Sequence, residues 1–234
     1  MKKTKIVALL TLAGFSGSIY AAEASKASAN PYEGYWVQFD EDKDAGRGKV
    51  QGVIYSQVAT KDSQYGKKGT LQMNIAVPVM KISTDGKVIP PVIRFEKNGE
   101  VKAVKGSLNG FTYDYSSNKS NLLQGLVFSG NLQKIGAGYD KGGVVNPNDG
   151  KTYSSSAVIA DHGKTLDVRA YYRWFGKDAH WKKITPEQYE VIKDKCGLTA
   201  DNVYPYQNND GKLTNEKLFK ECINYDFGVD NPVK

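Results

Sequence analysis

A chain of 234 residues with 40% hydrophobic and 24% charged residues is long enough to bury a core without staples. Its composition excludes collagen-like, coiled-coil and fully disordered chains. The formal charge is +7, but Lys2, Lys3 and Lys5 crowd the start, and the lysine-heavy, arginine-poor remainder is too weak a basic face to imply nucleic acid.

In chain order, the three lysines precede an apolar stretch from Ile6 to Tyr20 and the small residues Ala21-Ala22-Glu23-Ala24. A basic start, a short apolar run and small residues make a signal peptide, placed here at residues 1–22. The run is shorter than the roughly 20 residues that a spanning helix needs. The expectation is an exported protein with no membrane span, periplasmic or secreted in a Gram-negative-type envelope. An Ala/Ser/Lys lead-in follows, up to Asn30.

Alternation then begins. Tyr35, Val37 and Phe39 alternate with Trp36 and Gln38, and Leu71 to Val79 alternate likewise, the period of a strand with two different faces. Pro78 lacks a ladder donor, which predicts a sheet edge or a bulge there. Further strands are predicted at 126–132, 139–145, 152–160, 165–174 and 179–184, separated by the turn signals Asn146-Pro-Asn-Asp-Gly150 and Asp161-His-Gly163. Short strands joined by tight turns predict an all-β antiparallel meander, closed into a barrel or folded as a sandwich, over residues 30–184. The pattern then changes. Thr185-Pro-Glu-Gln188 is a capping box opening a helix that stops near Gly197. Thr214 is the expected cap of a second helix. The only cysteines, Cys196 and Cys222, suit a disulfide in an oxidising compartment, tying residues 185–234 into a small helical tail.

The run Gly142-Gly-Val-Val-Asn-Pro-Asn-Asp-Gly-Lys-Thr-Tyr153, then Leu166 to Tyr171, Phe175-Gly176 and Trp181, with Gly34-Tyr-Trp36 and Gly125-Leu126, resembles the bacterial family known as domain of unknown function 2147. The resemblance implies a lipocalin-like β-barrel of undetermined role. Gly34-x-Trp36 is also similar to the opening signature of lipocalins, in which the tryptophan packs on a basic side chain from a late strand. Arg169 is the candidate partner. Strand alternation places it on the face opposite Leu166 and Val168, so Lys182 and Arg173 stand as alternatives.

Little in the chain supports catalysis. His162 belongs to a tight turn, His180 lies near a strand start, and Ser154 to Ser156 lack a nucleophile elbow. Asp40 to Gly46 offers alternate carboxylates, but its glycine falls one place late for a calcium loop and Gln51 stands where a glutamate should close it. The expectation is no enzyme, no metal and no cofactor. Tyr55, Tyr113, Tyr153, Tyr172 and Trp174 are the candidate lining of a cavity for a small apolar ligand. Aromatic residues also fill small barrels as core. The alternative is a solid envelope module in which the tail meets a protein partner.

Overall fold

The computed structural model describes residues 30–41, 47–79, 96–97, 100–101, 105–115, 124–146, 150–199 and 213–232. The expected signal peptide, the lead-in before Asn30 and most of the acidic Asp40–Gly46 loop lie outside them. Twelve strands are present among the described residues: β1 (Gly34–Phe39), β2 (Val50–Val58), β3 (Leu71–Pro78), β4 (Glu96–Lys97), β5 (Glu100–Val101), β6 (Lys105–Leu108), β7 (Phe111–Asp114), β8 (Val127–Ile135), β9 (Gly138–Val145), β10 (Thr152–Ala160), β11 (Thr165–Tyr172) and β12 (Phe175–Ile184). Eight of them close an antiparallel barrel in the order β1-β12-β11-β10-β9-β8-β3-β2. Chain neighbours are wall neighbours throughout, except that β4 to β7 intervene between β3 and β8. This is the up-and-down meander of a lipocalin-like barrel.

Alternation sends side chains to two separate cores. Trp36, Ile54, Met73, Leu132, Leu166 and Trp181 belong to one. Phe128 of β8 and Trp181 of β12 bring their rings within 6.2 Å although their strands are not adjacent, so these side chains meet across the barrel interior. Val37, Val53, Val77 and Ile184, the alternate residues, form the second core on the outer wall with Ile192, Leu198, Phe219, Ile223 and Phe227. The tail supplies that cover. It carries α1 (Pro186–Lys195) and α2 (Glu216–Ile223), joined by the Cys196–Cys222 disulfide, and both half-cystines are fully buried.

Local chemistry explains the helix ends. The Gln188 amide donates to Thr185 Oγ1 (3.2 Å) and the Thr185 amide donates to Gln188 Oε1 (2.7 Å), completing the capping box. At α2 the cap is Asn215, whose Oδ1 accepts from the Leu218 amide (3.0 Å), not the expected Thr214. β3 is not an edge strand, but its ladder with β2 shifts register between Ile75 and Val77, so the strand ends in the irregularity expected there; Pro78 is its last residue, opposite Gly52.

The β6–β7 hairpin is fastened to the barrel by specific vacancies. Gly130 and Gly143 are cross-strand partners on β8 and β9, on the face that alternates with Ser129 and Val144. A Cβ on Gly143 would meet the Leu108 carbonyl at 2.8 Å and Phe111 at 3.0 Å, and one on Gly130 would meet Phe111 at 2.7 Å. The paired glycines are therefore the floor on which the buried Phe111 ring lies. Asn131 secures the same hairpin: its Nδ2 donates to the Asn109 carbonyl (2.7 Å) while its Oδ1 accepts from the Lys67 amide (3.0 Å).

Candidate functional site: the barrel interior

One end of the interior is built around Trp36, which is fully buried. Its Nε1 donates to Ser56 Oγ at 2.7 Å, and Ser56 in turn donates to the Tyr32 carbonyl. Over its ring lies the Lys183 ammonium, 4.2 Å from the centroid. Trp36 and Lys183 are direct partners across β1 and β12, so their side chains share the inner face. The ammonium also donates to the Glu33 carbonyl, and burial lowers its pKa, partly opposed by the Glu33 carboxylate. Gly34 leaves room for this arrangement. Its φ is +119°, and a Cβ there would stand 3.0 Å from the ammonium nitrogen.

Lys183 thus holds the place expected for Arg169. Arg169 points outward and makes two bonds of 2.9 Å to the Asp178 carboxylate, its cross-strand neighbour. Lys182 donates to Thr165 Oγ1 (2.9 Å), and Arg173 lies near Tyr172 in the β11–β12 turn. The parity of β11 is visible in the sequence and argues against Arg169. The parity of β12, which sets Ala179, Trp181 and Lys183 against His180, Lys182 and Ile184, likewise separates Lys183 from Lys182.

The rest of the interior is apolar with sparse polar groups. On β10, β11 and β12 the inward positions include Ser155, Ala157 and Ile159, then Leu166, Val168 and Ala170, then Ala179, Trp181 and Lys183, related by direct cross-strand pairing. Leu166 stands directly opposite Trp181, and the smaller side chains follow along the strands. Ser155 and Ser129 face one another at 3.3 Å, and Ser129 donates to the Gly143 carbonyl at 3.0 Å. Trp181 differs. The residue is 4% exposed and its indole Nε1–H is buried with no acceptor. An unpaired buried donor costs about 1–3 kcal/mol. Among the described residues it is the one fully buried side-chain donor that lacks a partner.

The expected lining residues separate by location. Tyr153 shares the inner face with Ser155 and is half-buried. Tyr55 pairs with Tyr35, whose ring stacks on Tyr189 of α1 at 4.0 Å, so it lies on the outer wall beside the tail. There burial, with Tyr189, Tyr55 and Glu190 beside it, pushes the Tyr35 phenol up to about 12. Tyr113 is buried in a stack of Phe111, Tyr113 and Tyr115 on the β6–β7 hairpin, its hydroxyl bonded to Thr152 Oγ1. Tyr172 and Trp174 stand exposed at the β11–β12 turn. Trp181, Ala170 and Ala179 were not singled out as lining by sequence; the alternation of β11 and β12 was the signal that could have found them.

The histidines lie elsewhere. His162 adopts positive φ (53°) in the turn after β10, as its position between Asp161 and Gly163 suggests. His180 Nδ1 bonds Asp167 Oδ1 at 2.7 Å on the outer wall, which raises its pKa. No group of three or more His, Cys, Asp or Glu side chains gathers among the described residues. Nor is any described helix long and apolar enough to cross a membrane.

With this geometry in place, comparison with known proteins is informative on family. The family described as "Uncharacterized protein conserved in bacteria (DUF2147)" matches residues 21–183, well over half of the chain. The chain belongs to this family. The match spans Gly34, Trp36, Lys183 and every strand of the barrel, and the helical tail follows it. No curated protein matches. Among solved structures, a Helicobacter pylori protein described as belonging to the lipocalin family is similar at 17% identity, covering 69% of this chain and 88% of that one with a TM-score of 0.42.

Proposed function

We propose that this protein is an exported, non-catalytic carrier whose barrel holds a small, mainly apolar ligand carrying one hydrogen-bond acceptor. The observation that supports this reading is the buried Trp181 Nε1–H, unpaired on the inner face of β12, where Leu166 is its cross-strand partner and Val168, Ala170 and Ala179 follow along the wall. A carbonyl, ether or hydroxyl oxygen on the ligand would complete that bond. The surrounding apolar wall would supply affinity at about 25 cal/mol per Å2 of apolar surface buried. Tyr153 is the second polar group on the inner face able to orient the ligand. On this wall Ser155 is bonded to Ser129, and His180 lies on the opposite side of β12.

Native mass spectrometry of the full chain purified from its own envelope tests the reading. A co-purified small molecule, released on denaturation, is the expected result. Ala170→Trp, which fills the inner face, should abolish retention and lower uptake of the neutral probe N-phenyl-1-naphthylamine by at least about tenfold. Equal retention by wild type and Ala170→Trp, or none by either, would leave the solid envelope module as the better description.

A further inference from the structure

We propose that the β11–β12 hairpin tip is a membrane-docking element that inserts its aromatic side chains into the lipid–water interface. The large exposed apolar side chains of the described residues concentrate there: Tyr172 is 61% exposed, Trp174 74% and Phe175 67%. The three span four consecutive positions, with Arg173 between them.

The hairpin also projects. β12 pairs with β1 only through Ile184, Lys183 and Lys182, and its ladder with β11 continues for seven more residues to the Tyr172–Phe175 pair. Strand β1 therefore ends well before the tip, and Phe175 to Asp178 are all exposed. In water this arrangement is unfavourable. Trp174 and Phe175 touch each other, with ring centroids 5.6 Å apart, and are otherwise left to solvent.

The side-chain types point to lipid. Tryptophan and tyrosine, each apolar with a polar handle, favour the headgroup level of a bilayer. Charge agrees: Arg169 is paired with Asp178, and the turn itself, from Tyr171 to Lys177, carries Arg173 and Lys177 and no carboxylate, so an anionic leaflet would be attracted to the tip. Arg173 lies 5.5 Å from the Tyr172 ring centroid, a position from which its guanidinium can reach phosphate while the ring stays in the interface. A narrow convex turn presents far less than the roughly 800 Å2 per partner of an ordinary protein interface. A bilayer needs no such area, because it accepts each side chain separately.

Docking does not require the interior to hold a ligand, and it is tested apart from ligand binding. Protein purified from its own envelope is floated with vesicles of phosphatidylethanolamine and phosphatidylglycerol. The expected result is co-flotation, with Trp174 fluorescence quenched by brominated acyl chains and that quenching lost in Trp174→Phe. Trp174→Ser combined with Phe175→Ser should weaken partitioning by at least about tenfold while thermal unfolding stays as in wild type. Arg173→Glu should weaken binding to these vesicles more than to vesicles of phosphatidylcholine alone. Protein that stays with the lipid-free fraction overturns the proposal, as does equal flotation of wild type and the double variant. So does self-association in the absence of lipid that disappears in the double variant, since the tip would then be covered by a second copy.

Discussion

Replacing Trp36 by alanine would remove a fully buried indole, its bond to Ser56 and the surface under the Lys183 ammonium. The expected loss is about 3–5 kcal/mol, measured by urea unfolding. Lys183→Met keeps the stem and removes the charge, so it isolates the cation–π contact and the bonds to backbone carbonyls, about 1–2 kcal/mol together. Arg169→Met should cost under about 1 kcal/mol, because its ion pair with Asp178 is largely exposed. The contrast between the two methionine variants decides which cation serves Trp36. His180 gives a pH signature. Its bond to Asp167 raises its pKa in the folded chain, so the stabilisation is complete below the ordinary value of 6.5 and fades as pH climbs through the folded value. Both side chains are nearly half exposed, which limits the effect to under about 1 kcal/mol. His180→Asn should remove that slope from stability measured between mildly acidic and mildly alkaline pH.

At the scale of elements, the tail is part of the wall's packing rather than an attachment. Val37, Val53 and Val77 would face water without it. Reducing Cys196–Cys222 removes a cross-link over a sequence separation of 26, worth about 3–4 kcal/mol in the chain-entropy model. Calorimetry with and without reductant should show one cooperative transition moved to lower temperature. Gly143→Ala should cost about 1–3 kcal/mol by forcing its methyl against Leu108 and Phe111. Tryptic cleavage within the β6–β7 hairpin should accelerate in that variant. Legibility in the sequence followed the same packing. β9 to β12 are readable because much of their outer surface meets water, which preserves alternation. β2 is not delineated by the sequence reading, because both its faces are buried, Ile54 and Ser56 inward and Val50 and Val53 under the tail. The capping box at Thr185 is a local signal and survives intact. Tyr55 and Tyr113 show the opposite case: a pattern of aromatic strand residues carries no information on which side of a barrel, or which hairpin, receives each ring.

For the whole molecule, two cores share the strands β1, β2 and β3, one residue inward and the next outward. Trp36 and Val37 are consecutive and belong to different cores. Deleting residues 185–234 should therefore disturb the interior as well as exposing the outer wall, and the truncated protein is expected to aggregate or bind a hydrophobic dye. The antiparallel meander was foreseeable from strand length and turn spacing, which fit a barrel and a sandwich alike; closure into a barrel was what the family resemblance implied. What could not be foreseen is the distribution of contents: the Leu166 and Phe128 side chains beside Trp181, the glycine floor and the covered valines arise only when the register of all eight strands is known.

Residues 79–126 separate β3 from β8 in sequence, and the two strands hydrogen-bond as neighbours regardless. The entropy of closing such an excursion rises only slowly with its length. This position is thus a natural grafting point: foreign sequence could be spliced there with the circuit of strands unbroken, provided that something still blankets Gly130 and Gly143.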